Sequence, residues 1–315
     1  MKVLVTGGAG FIGSALARTL ADKGNAVTVI DNFDPYYDVQ LKHDRVEKFL
    51  AGIEVIEGTI LDTVFLDSVF KEHSFDVVCH FAGNAGVRPS IENPSEYINN
   101  NIQGTLNLYE VMKKHETTQM VFASSSSVYG NDTAAPFKED AAADRPISVY
   151  GATKRACELI GYTYYTLFGI QTTDLRFFTV YGPWSRPDMA MLKFADLMKA
   201  GQPIDVYNNG DLRRDFTHID DIVDGFVKAV EQPLGYEIIN LGRGNTTELL
   251  KYIELLEAAL GITAKKNMMP MQDGDVYETY ADTTKAKELL GFSAKVSVED
   301  GVQTFAKWYL EYYGK

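Results

Sequence analysis

Cysteine is nearly absent. Only Cys79 and Cys157 occur in 315 residues, far apart and each within an apolar pattern. That excludes a disulfide framework. Both thiols read as reduced and buried, which places the chain in the cytoplasm as an expectation. No apolar run approaches the roughly 18 residues that cross a bilayer, so no membrane association is expected. The opening Met1-Lys2-Val3-Leu4-Val5-Thr6 is apolar but runs straight into a glycine loop, whereas a secretory signal would end at a small-residue cleavage site. It therefore reads as a buried strand. Basic residues are in deficit, with 30 Lys and Arg against 43 Asp and Glu, a net charge of −13. Nucleic-acid binders carry basic faces, so that class of partner is excluded. The same balance repels anions at long range, so an anionic ligand needs local Arg, Lys or backbone N–H groups. His43, His73, His80, His115 and His218 show no metal-ligand spacing, and no metal is expected. Internal repeats, low-complexity tracts and long charge blocks are also missing.

What the sequence does contain is alternation. Short β-branched runs at 2–6, 26–31, 53–57, 76–80, 120–123 and 172–177 read as strands. Amphipathic stretches at 11–23, 65–71, 94–114 and 150–168 read as helices between them. The pattern predicts an α/β fold, a doubly wound parallel sheet of the Rossmann type over residues 1–180. After Tyr181-Gly182-Pro183 the rhythm changes to short strands at 204–207 and 238–241 and helices at 219–230, 246–260 and 298–312. Residues 181–315 read as a smaller C-terminal α/β substrate lobe, with the chain free to cross between lobes.

Gly7, Gly10 and Gly13 lie between the first strand and first helix. Gly7 permits a tight turn, Gly10 lets a pyrophosphate approach the backbone, and Gly13 lets helix and strand pack closely. The amides at the helix start, Phe11 and Ile12 among them, would face the phosphates. Asp31 ends the second strand, 18 residues after Gly13. A carboxylate there accepts a ribose diol and repels a 2′-phosphate, favouring NAD over NADP. With Asn32 and Pro35 close behind, Asp31 also reads as a solvated turn residue.

Tyr150 and Lys154 stand four residues apart on one face of a helix. Ser124-Ser125-Ser126-Ser127 ends a strand that reaches the same sheet edge. A phenol is a poor base at neutral pH, its reference pKa being about 10, and a neighbouring ammonium favours the phenolate. Alone, Tyr and Lys at this spacing read as an ordinary amphipathic face.

Together, Gly7-x-x-Gly10-x-x-Gly13, the serine run before Val128-Tyr129-Gly130, and Tyr150-x-x-x-Lys154 resemble the extended short-chain dehydrogenase/reductase superfamily, in its NAD-dependent epimerase/dehydratase branch. The match spans nearly the whole chain. Within that group, the segment from Phe177 to Ala190 is similar to one typical of UDP-glucuronate 4-epimerases. So are His80-Phe81-Ala82-Gly83 through Arg88, Arg214-Asp215-Phe216, and Gln272-Asp273-Gly274-Asp275-Val276. The resemblance implies that Tyr150 takes the proton from a sugar 4-hydroxyl while hydride leaves C4 for NAD. Lys154 would hold the nicotinamide ribose and favour the phenolate, and Ser125 would hydrogen-bond O4. Phe81, Ala82, Asn101 and Ser124 would line the cofactor pocket, with Phe177 and Val180 at the nicotinamide. Relatives dimerise through two long helices, so a homodimer through 94–114 and 150–168 is implied.

Two departures stand out. Most relatives carry an adenine-contacting Asp where this chain has Thr59, which leaves adenine to the backbone and Ile60. Gly8 replaces a common Ala and reads as harmless to the loop.

The serine run separates the reactions. Related 4,6-dehydratases carry Asp-Glu where Ser126-Ser127 stand, and UDP-glucuronate decarboxylases keep a Glu at the position of Ser127. Without a carboxyl for elimination, 4-epimerisation of UDP-glucuronate to UDP-galacturonate is expected. A UDP-glucose or UDP-N-acetylhexosamine 4-epimerase, a decarboxylase, and a catalytically silent dinucleotide sensor are the alternatives. Oxidising a uronate at C4 creates a β-keto acid, which loses CO2 when its carboxylate stands perpendicular to the ketone. Arg186 and Arg88 are the candidates to hold that carboxylate, with hydroxyls from Ser126, Ser127 and Thr179. Arg186 reads equally as a diphosphate clamp or a surface charge, and Arg88 as a phosphate ligand. Arg214 is assigned to the diphosphate and Asp275 to the uridine ribose, although Gly274-Asp275 also suits a plain turn.

Overall fold

The computed structural model describes residues 1–131, 133–271 and 276–314. Its centre is a seven-stranded parallel sheet. Six strands come from the first half: β1 (Lys2–Thr6), β2 (Ala26–Asp31), β3 (Glu54–Glu57), β4 (Val77–His80), β5 (Gln119–Ser125) and β6 (Gln171–Phe177). The seventh is Tyr236–Leu241, and the order across the sheet is Tyr236–Leu241, β6, β5, β4, β1, β2, β3. Because β1 to β3 grow one way and β4 onward the other, a crevice opens beyond the carboxyl ends of β1 and β4, where ligands of such sheets bind.

The central strands β1, β2 and β4 are nearly continuous apolar runs because both faces are covered. Val3 and Val5 face one layer with Leu16, Leu20, Phe226 and Val230. Leu4 faces the opposite layer, with Leu66, Leu108, Met112 and Cys157. The period-2 alternation of β1 thus feeds two cores. A third core unites Leu192, Ala195, Ile253, Leu256, Phe305 and Tyr309 in the C-terminal part. Both cysteines are free and buried, and burial raises both thiols, Cys157 to about 11. Among the described residues, no helix is long and apolar enough to cross a membrane.

Beside unexpected helices at Val87–Glu92, Ala190–Lys199 and Thr284–Leu290, three departures from the sequence expectations bear on the sheet and the cleft. Tyr236–Leu241 belongs to the main sheet, paired residue for residue with β6 from Tyr236–Thr172 to Leu241–Phe177; it covers an edge that would otherwise be bare. The stretch 94–114 is not one α-helix. A π-helical turn, Ile98–Gln103, separates Pro94–Tyr97 from Gly104–Lys114, and a 3.6-residue apolar pattern does not reveal such a turn. A helix at Gln40–Phe49 was not expected, because its buried positions are Leu41, Lys42 and Arg45, and two cations on the inner face erase the apolar periodicity.

Candidate active site

The turn after β1 needs its glycines. Gly7 has φ +69°, and a Cβ there would lie 2.7 Å from the Ala82 nitrogen; one on Gly13 would lie 2.4 Å from the Gly7 oxygen. Gly8 is fitted too: an added Cβ would press on Val29 Cγ1 at 2.5 Å, so alanine is not neutral at this position. Gly7 N donates to Ile30 O at 2.7 Å, and the first helical bond runs from Ser14 N to Gly10 O. Among the described residues, the amides of Phe11, Ile12 and Gly13 therefore have no backbone acceptor and point out of the helix N-terminus, where phosphate oxygens bind. A dinucleotide pyrophosphate fits this cradle.

Asp31 is buried and busy. Its Oδ2 accepts from Ala9 N at 3.0 Å, and its Oδ1 accepts from Phe33 N at 2.9 Å and from Lys42 Nζ at 3.4 Å. It braces the glycine loop as well as lining the cleft with Asn32 and Lys42. On the adenine side the lining is Gly58, Thr59 and Ile60, and the Thr59 hydroxyl accepts from Leu61 N at 3.3 Å.

The same cleft, about 430 Å³ in volume, gathers Gly7, Gly10, Phe11, Ile12, Gly13, Phe81, Ala82, Ser124, Ser125, Ser127, Tyr150, Lys154, Phe177, Val180 and Arg186. Helix Val149–Phe168 starts at Ser148, whose hydroxyl accepts from Gly151 N, and this cap sets the phase that turns Tyr150 and Lys154 inward. Tyr97 packs its ring edge-on against Tyr150 at 6.3 Å and donates to Ala85 O at 3.0 Å. Lys154 Nζ donates to Ala123 O at 2.7 Å, tying the helix to the end of β5. There Ser125 Oγ donates to Ser127 Oγ at 3.1 Å and accepts from Ser127 N at 3.2 Å. His80 is no rival base: burial, and then the Lys154 ammonium, push it down to about 3, and its ring is held between Thr6 and Thr105 hydroxyls.

Asn101 stands just behind the cleft wall, donating to Asn84 O at 3.0 Å and Thr153 Oγ1 at 2.9 Å. Ser124 reaches the cleft, but its hydroxyl donates away, to Glu158 Oε1 at 2.6 Å. Ser126 and Thr179 are half-buried outside the lining. Arg88 borders a different hollow, over the Tyr207 ring at 5.1 Å, with Ile91, Glu92 and Met269 to Met271. The two arginines expected at one carboxylate are thus apart, and it is Arg186 that shares the cleft with Tyr150. Arg214 Nη1 donates to Arg213 O and Tyr277 O, both at 3.0 Å, away from this cleft. Asp275 and the neighbouring Gln272, Asp273 and Gly274 lie outside the described residues.

Several site residues left no clear sequence signal. Arg45, fully buried, donates Nε and Nη2 to Trp184 O at 3.1 and 2.8 Å and Nη1 to Tyr37 OH at 2.6 Å, so it holds the loop that carries Arg186. Tyr36 lines the cleft and donates to Asp188 Oδ2 at 3.2 Å. Burial, with the Asp188 carboxylate second, pushes its phenol up to about 12 and keeps it a donor. The aromatic run of helix Val149–Phe168 packs elsewhere: Tyr164 stacks on Tyr109 at 4.8 Å and Tyr162 meets Tyr236 at 5.1 Å.

The profile of the NAD dependent epimerase/dehydratase family matches residues 3–242. A UDP-glucuronate 4-epimerase of Thermodesulfobacterium geofontis is 42 % identical over 97 % of this chain and 95 % of its own. The crystal structure of a UDP-glucuronic acid 4-epimerase from Bacillus cereus, in complex with UDP-glucuronic acid and NAD, superposes with a TM-score of 0.92 at 36 % identity, covering 99 % of both chains. A UDP-glucose 4-epimerase from Thermotoga maritima, solved with UDP-glucose, reaches 0.91 at 30 % identity, again covering 99 % of both chains. The glycine turn after β1, the tyrosine, lysine and serine that share one cleft, and these full-length likenesses lead to one conclusion: the chain belongs to the NAD dependent epimerase/dehydratase family.

Proposed function

We propose that this chain is a UDP-glucuronate 4-epimerase, an isomerase that interconverts UDP-glucuronate and UDP-galacturonate through a 4-keto sugar. The observation that carries the reading is the meeting of Ser125, Tyr150, Lys154 and Arg186 in one cleft, with serines where elimination would need carboxyls. NAD, when bound on the glycine turn, takes a hydride from sugar C4 and gives it back. The phenolate of Tyr150 accepts the 4-hydroxyl proton and later returns it. Ser125, its oxygen still held by Ser127 N, turns its one O–H from Ser127 Oγ to O4 and fixes the carbon that reacts. Lys154 brings a positive charge into the same cleft and, in exchange for the Ala123 carbonyl, supplies a donor for the nicotinamide ribose. Arg186 and the Ser127 hydroxyl hold the uronate carboxylate near the plane of the ketone, where its C–C bond does not align with the carbonyl π system.

The experiment is NMR of UDP-glucuronate incubated with the pure protein and no added NAD. UDP-galacturonate is the expected product. UDP-xylose alone would move the chain to the decarboxylases, and conversion of UDP-glucose in preference to the uronate would move it to the neutral-sugar epimerases.

The buried free thiols support a cytoplasmic setting. Leu159, Tyr162 and Leu167, 53, 53 and 66 % exposed on helix Val149–Phe168, support the homodimer; a sedimentation mass of one 35.0 kDa chain would contradict it.

A further inference from the structure

Arg186 is gripped from one side only. Its Nε donates to Asp188 Oδ1 at 3.0 Å and its Nη2 to Asp188 Oδ2 at 2.9 Å. A guanidinium offers two such double-donor edges, Nε–Nη2 and Nη1–Nη2. Asp188 takes the first, and among the described residues Nη1 has no acceptor on the protein. The placement gives that asymmetry a direction, because Arg186 lines the cleft and Asp188 does not. Asp188 is itself braced. The Tyr36 hydroxyl, which also lines the cleft, donates to its Oδ2 at 3.2 Å, and Arg45 fixes the backbone just before it through Trp184 O and through Ser185 O at 3.3 Å.

Resting on the proposed reaction, we infer that Asp188 is a positioning residue for substrate choice: by holding the Nε edge of Arg186, it aims the Nη1–Nη2 edge at the carboxylate of a uronate. A free arginine samples many rotamers, and a fork held in place loses less entropy when it binds. The same grip protects the intermediate. Once C4 is a ketone, a carboxylate that rotates out of plane lets the C5–C6 electron pair pass into the carbonyl as an enolate. CO2 leaves, C5 takes a proton from water, and a five-carbon UDP-sugar results. A correctly aimed Arg186 holds the carboxylate away from that rotation.

Asp188→Asn keeps the shape but removes the charge and one of the two acceptors. The expected result is a rise of about tenfold in KM for UDP-glucuronate, the worth of one charge-assisted bond. Inhibition constants for UDP-glucose and for UDP, neither of which carries the carboxylate, should stay unchanged and so report an intact fold. A five-carbon UDP-sugar, detected by mass spectrometry, should rise above the wild-type background. Asp188→Ala should move all three readouts in the same directions. An equal weakening of UDP, UDP-glucose and UDP-glucuronate would overturn the inference, since the loss would not be specific to the carboxylate. Tighter binding of UDP-glucuronate would overturn it as well, by making Asp188 a competitor for Arg186. A wild type that accepts UDP-glucose as readily as UDP-glucuronate would sink the underlying epimerase reading, and would show itself before any substitution is made.

Discussion

Replacing Tyr150 with Phe should lower kcat by roughly 10²–10⁴-fold, the usual contribution of a positioned acid–base group, while the cofactor stays bound. The substitution deletes one oxygen. The ring keeps its edge contact with Tyr97, the Ser148 cap keeps the helix in phase, and the glycine turn is untouched. Lys154 retains its Ala123 partner, so the variant should hold its nicotinamide as the wild type does. His80 does not take over: it is buried and neutral. Steady-state rates with UDP-glucuronate, read beside the bound-cofactor content, check this. A variant that retains a tenth of wild-type turnover would remove Tyr150 from the proton step.

Glu158→Ala should cost about 3 kcal/mol of stability, near the lower end for removing one partner of a buried ion pair. Glu158 is completely buried. Its Oε1 accepts from Ser124 Oγ at 2.6 Å and Arg176 Nε at 2.8 Å, and its Oε2 from Arg176 Nη2 at 2.8 Å and Arg155 Nη1 at 2.9 Å. One carboxylate thus binds helix Val149–Phe168 to β5 and β6 directly beneath the serines of the cleft. Its removal strands Arg176, which is 1 % exposed. The loss is tempered by Asp174, a second buried carboxyl held well above its ordinary range by burial and then by the Glu158 charge. Without Glu158 it ionises more readily and compensates Arg176 in part. Urea denaturation measures the difference, and a change below about 1 kcal/mol, the scale of exposed pairs, would show the network to be dispensable.

How much of this was legible in the sequence follows from burial. The first six strands could be read because a parallel sheet covered on both faces demands β-branched runs, and the glycine turn because Gly7 and Gly13 sit where a Cβ collides with backbone. Tyr150 and Lys154 could be read because four residues on a helix is a short-range relation. Contacts between distant segments left no such trace. Tyr36 and Asp188 are 152 residues apart, Ser124 and Glu158 are 34 apart, and nothing local links them. Helix Gln40–Phe49 was hidden because its inner face spends Lys42 and Arg45 on Asp31 and on the Trp184 carbonyl rather than on apolar packing. Arg88 and Arg186 looked equivalent as charges in glycine- and proline-rich loops, and only the fold sends them to separate hollows.

The central claim is that one hydride leaves sugar C4 and returns to it within the same cleft. UDP-glucuronate carrying deuterium at C4, incubated in ordinary water without added cofactor, tests it directly. The account predicts UDP-galacturonate with the deuterium still on C4. Washing of the label into the solvent would contradict it, because C4 would then have exchanged a proton with water instead of passing a hydride.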